Sequence, residues 1–120
     1  MSIVSKKYRG KEIYGHVHDL LVQAASRNRT VYYGQIGRLM GLEPGETLTR
    51  EVGHILGEIN EEEHDKGKPM LSAVVINAVE KTPGEGFFRL AEKLDKYHGS
   101  TEQDRMDFWR EELQKVYANW

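Results

Sequence analysis

The stretch Thr30–Ile59, TVYYGQIGRLMGLEPGETLTREVGHILGEI, narrows the possible folds of this chain more than any other. Two apolar runs at helical spacing are split by Gly41, Pro44 and Gly45, the local pattern of a helix-turn-helix. The lead-in Thr30–Tyr33 is β-branched and aromatic, so it predicts a short strand. The first helix is expected over about 34–40, burying Ile36, Leu39 and Met40 and stopping at Gly41. The second takes Thr47 as its expected N-cap and runs to about Lys66, before Gly67. Its Leu48, Val52, Ile55, Leu56 and Ile59 form one stripe, the predicted core face. Arg50, His54, Gly57 and Glu61 fall on the opposite side, where a large partner would be met.

The flanks are simpler. Ile13, Val17, Leu20, Leu21 and Ala24 recur every three or four residues, predicting a helix from Glu12 to Arg27. After Pro69, the run Met70–Asn77 (MLSAVVIN) reads as a buried strand, and Ala78–Gly86 as a turn-rich loop. That order, following a helix-turn-helix, is the order of a winged helix with the loop as its wing. A short helix through Phe87, Phe88, Leu90, Ala91 and Leu94 comes next. Ser100 and Gln103 have capping-box spacing. Met106, Trp109, Leu113, Val116, Tyr117 and Trp120 then share one stripe of a last helix. The expectation is one mostly α domain with a small β element over 1–120: a winged-helix-like core at 10–90 and an additional C-terminal helix at 100–120.

Composition sets limits on function. With no cysteine, the chain has neither disulfides, thiol catalysis nor cysteine-ligated zinc. No apolar run nears the roughly 20 residues that cross a bilayer. MSIVSKKYRG lacks the apolar centre of a signal peptide, so no membrane partner and a cytoplasmic location are expected. The net charge of −2 argues for no polyanion by itself, but its distribution is uneven. Residues 1–50 hold eight Lys/Arg against four Asp/Glu, whereas residues 51–66 hold one against six. A polyanion would approach only the amino-terminal end of the long helix.

The segments TVYYGQIGRLMG, TREVGHIL and KPMLSAVVINAVEKTPGEGFF together resemble the DNA-binding domain of alkylguanine-DNA alkyltransferases and of the non-enzymatic alkyltransferase-like proteins. The resemblance covers roughly residues 30–88. It rests on Val31, Tyr33, Gly34, Gln35, Ile36 and Gly37, on Arg50, Val52, Gly53 and Leu56, on Val74 and Val75, and on Pro83, Gly84 and Gly86. Where the family carries Pro-Cys-His-Arg, this chain has Met70, Leu71, Ser72 and Ala73. The alkyl-accepting thiolate and the histidine that activates it are gone. The resemblance therefore implies a DNA binder without catalysis or cofactor, one that recognises modified or flipped bases in duplex DNA.

On that resemblance Arg50 enters the duplex in place of a flipped base, and Tyr33 contacts the neighbouring phosphate. A surface arginine paired with Glu46 or Glu51, and a core tyrosine, are the plain alternatives. Thr47 and Thr49, with the helix-start amides, offer a phosphate site; capping is the alternative for Thr47. His54 shares the outward face. Arg27, Arg29, Arg38 and Lys81 are candidate phosphate contacts, and Gly84 a wing-tip contact. The acidic run Glu58–Asp65 lacks the HExxH signature and reads as a solvated helix end rather than a metal site. Two other functions remain: a protein-interaction module using Phe108, Trp109, Tyr117 and Trp120, and a metal-dependent nuclease built on the acidic run.

Overall fold

The computed structural model describes residues 3–120. Its elements in chain order are α1 (Glu12–Ser26), β1 (Val31–Tyr32), α2 (Tyr33–Leu39), α3 (Glu46–Asp65), a 3-10 turn (Leu71–Val74), β2 (Val75–Ile76), α4 (Glu85–Lys93) and α5 (Glu102–Asn119). The chain is thus mostly helical with a small β element, as its patterning predicts. Val52, Ile55 and Ile59 of α3 are fully buried together with Val17, Leu21, Ile36, Leu71 and Val74. The predicted stripe of α3 is the centre of the core.

Helix ends follow local chemistry. At the end of α2, Gly41 takes φ +76°, Leu42 N–H bonds to the Gly37 carbonyl and Gly41 N–H to that of Arg38. This double closure satisfies the last carbonyls of the helix. Gly67 ends α3 in the same way, with Lys68 N–H on the Glu63 carbonyl. The long helix begins two residues before expectation: its N-cap is Gly45 rather than Thr47. Gly45 adopts φ +145°, open to glycine alone, and Thr49 Oγ1 donates back to its carbonyl. Thr47 lies inside the first turn. At α5 the reciprocal cap is Thr101 with Asp104, one residue beyond Ser100 and Gln103.

The predicted strand Met70–Asn77 is corrected. Only Val75 and Ile76 pair, in parallel with Val31 and Tyr32, and the preceding residues coil as the 3-10 turn. Side chains replace the ladder there. Glu112 accepts from Met70 N–H at 2.8 Å and Asn60 Oδ1 from Ser72 N–H at 3.0 Å, so these buried amides need no strand partner. Because the pairing is parallel, the loop after β2 is not the tip of a hairpin wing. Asn77 organises it instead, accepting from Val79 and Glu80 N–H, while its own N–H reaches the Thr82 carbonyl.

The C-terminal aromatic residues turn inward. Phe108 packs against Phe87 and Tyr97, Trp109 Nε1 donates to the Ala73 carbonyl at 2.8 Å, and Trp120 lies against Lys68. Glu112 is the unexpected member of this face. It is 1% exposed and takes Lys96 Nζ at 2.7 Å as well as the Met70 amide.

Candidate functional site

The outward face of α3 carries Glu51, Glu58, Glu61 and Glu62, and residues 3–9 lie across it as a strap. Glu58 is 3% exposed and accepts backbone N–H from Lys7 at 3.0 Å, Tyr8 at 2.9 Å and Arg9 at 3.1 Å. Glu61 accepts from Ile3 N–H, and Glu62 from Arg9 Nε and from the Tyr14 hydroxyl at 2.7 Å. Glu51 accepts from Lys7 Nζ and the Tyr8 hydroxyl. These bonds, that from Lys7 first, hold the Glu51 carboxyl at about 2, well below the ordinary range. Burial, helped by the Glu51 contact, pushes the Tyr8 hydroxyl up to about 12. The solvated reading of the acidic run is therefore corrected: Glu58, Glu61 and Glu63 are buried, because backbone amides or, for Glu63, His18 at 2.9 Å supply donors. Among the described residues, no group of three or more acidic and histidine side chains is placed to hold a metal ion.

The strap also corrects the outward face as a contact surface. His54 Nε2 lies 2.8 Å from the Ser5 carbonyl and 3.4 Å from Glu58, so its ring is engaged within the molecule. Gly57 faces Val4, close enough that an added Cβ would make ordinary contact at 3.5 Å. The amino-terminal end of α3 stays open. Arg50 projects there with its side chain 68% exposed, its Nε on Glu51 Oε2 at 3.2 Å. Its two terminal amino groups have no bonding partner among the described residues.

Beside that open end lies a cavity of about 280 Å³ between α3 and α4. Tyr33, Arg50, Gly53, His54 and Gly57 line it together with Ile3 and Val4 of the strap and Gly86, Phe87 and Leu90 of α4. Arg89 and Lys93, one helical turn apart on α4, complete the rim. Three cations and no carboxylate line it among the described residues. Asn60 and Ser72 also line it, and Asn60 Nδ2 donates to Ser72 Oγ at 2.6 Å. Tyr33 packs closely against Gly84, and burial raises its hydroxyl pKa. A Cβ on Gly84 would stand 2.9 Å from that hydroxyl.

Neither a known protein family, a curated protein nor a solved structure matches this chain. Tyr33, Arg50 and His54, named from sequence, meet at the cavity, and Gly84 supports it through Tyr33. Arg27 and Arg29 lie exposed in the turn between α1 and β1, and Arg38 on the exposed side of α2. Lys81 donates to the Tyr32 hydroxyl at 2.8 Å on the loop after β2. These four, with Thr47 and Thr49, do not line the cavity. Sequence reasoning passed over Arg89 and Lys93. Their i, i+4 spacing off the Phe87–Leu90–Leu94 stripe marks an exposed basic edge, but nothing in the sequence says that it faces α3.

Proposed function

We propose that this protein binds duplex DNA without catalysing a reaction, as the alkyltransferase-like resemblance implies. The amino-terminal end of α3 meets the duplex, Arg50 enters it, and an extruded base, modified or not, occupies the cavity. One observation carries this reading: Tyr33 and Arg50 converge on a concavity ringed by Arg50, Arg89 and Lys93, with an apolar wall of Phe87 and Leu90. An aromatic base fits such a wall, and the cations suit the phosphates on either side. The cavity is near the lower limit of ordinary ligand sites, roughly 300–1,000 Å³. Leu71 stands where the family has its cysteine and is fully buried, and the Ser72 hydroxyl is held by an amide rather than a base. A cytoplasmic setting belongs to the same proposal; no helix among the described residues is long and apolar enough to cross a membrane. The interaction-module alternative is weakened because Phe108 and Trp109 pack inward.

Electrophoretic shift of duplex DNA at low and moderate salt tests the reading. The unaltered protein should shift the duplex, and Arg50→Ala should bind about five- to 150-fold more weakly, the loss of roughly 1–3 kcal/mol for one well-placed arginine. No shift at low salt rejects it.

A further inference from the structure

We infer that the amino-terminal strap is itself a phosphate-contacting surface, with Lys6, Lys7 and Lys11 continuing the cationic edge that begins at Arg50. The inference rests on the DNA reading above and adds residues to it. Residues 3–11, IVSKKYRGK, carry four cations and no carboxylate. A turn with Gly10 at φ +89° and Lys11 N–H on the Tyr8 carbonyl folds the segment back on itself. Lys7 and Lys11 thereby stand on the Tyr8 ring, at 5.5 and 5.9 Å from its centroid. Lys7 and Arg50 share Glu51, so strap and helix present their cations side by side.

The arrangement answers the objection raised by the acidic run. A bare α3 would turn Glu51, Glu58, Glu61 and Glu62 toward any polyanion. With the strap in place those carboxylates are occupied by its amides and by Lys7 and Arg9, while Lys6 and Lys11 are exposed to solvent. Neither Lys6 nor Lys11 has an ion-pair partner among the described residues. The strap converts a repelling helix face into an attracting one, and Ile3 and Val4 join it to the cavity wall.

The test measures binding of a fluorescent DNA duplex across a salt series. Each phosphate contact adds about 0.9 to the slope of log K against log salt. K6A/K11A should lower that slope by nearly 2 and weaken binding at low salt, and K6R/K11R should restore both. Both lysines are exposed and, among the described residues, without an ion pair, and Lys11 gives up only an exposed ring contact, so thermal unfolding of K6A/K11A should stay close to that of the unaltered protein. An unchanged slope in K6A/K11A, with the unaltered protein still binding, overturns this inference and leaves the DNA reading standing. Absence of binding by the unaltered protein overturns both.

Discussion

Replacing Glu58 by alanine isolates the energetics of the strap. Three consecutive backbone amides, those of Lys7, Tyr8 and Arg9, lose their acceptor at once. Hydrogen bonds to a charged group contribute about 1.5–3 kcal/mol each, so the gross loss is at least about 4.5 kcal/mol. Part is returned, because the freed amides regain water and the detached segment regains backbone freedom. A net destabilisation of about 2–3 kcal/mol is expected, lowering the melting temperature by roughly 6–15 °C for a chain of this size. The damage should also be local. Native-state hydrogen exchange should show Lys7–Arg9 losing protection, while Val52, Ile55 and Ile59 in the middle of α3 keep theirs relative to global unfolding. Unchanged protection at Lys7–Arg9 would refute the claim that Glu58 holds the strap.

Glu112→Ala should cost about 1–3 kcal/mol in denaturant unfolding, since it strands the buried Met70 amide and removes the partner of the partly exposed Lys96; a loss under about 0.5 kcal/mol would count against that pairing. At Gly37 an added Cβ would overlap Cδ1 and Cγ of Leu48 where α2 crosses α3, so Gly37→Ala should destabilise by about 1–3 kcal/mol. That penalty should shrink when Leu48→Ala is made as well; equal penalties in both backgrounds would disprove the contact. The carboxyls of Glu51, Glu85 and Asp104 are held below their ordinary values by Lys7, Arg105 and the Ser100 amide respectively. An unfolded chain therefore binds more protons in acid, and stability should be full above about pH 4.5 and fall toward pH 2. Urea midpoints against pH test this, with a shallower acid slope expected in Glu51→Gln.

The legible and illegible parts of this fold divide by distance along the chain. Helix positions follow from apolar spacing, and Gly41 and Gly67 end α2 and α3 as expected because a left-handed residue is a local demand. Capping was off by one or two residues at Gly45 and Thr101, where neighbouring residues compete for the same role. The 3-10 turn was hidden, because the acceptors that replace its ladder come from Asn60 and Glu112, one on each flanking helix. Burial of Glu58 and Glu61 was hidden for the same reason, their donors lying about fifty residues upstream. At the site, Tyr33 and Arg50 were readable from the resemblance. Arg89 and Lys93 were not, since a basic edge carries no record of what it faces.

The pairing of Val31 with Val75 and of Tyr32 with Ile76 sets the start and finish of the helix-turn-helix region side by side. Residues 33–74 are thus a loop clasped at its neck, with Gly37 and Leu48 locked at its waist. Such a loop has no loose end on which to pivot. On the proposed reading, a duplex docking at Arg50 meets a surface of preset shape, and the bending needed for a fit falls on the duplex.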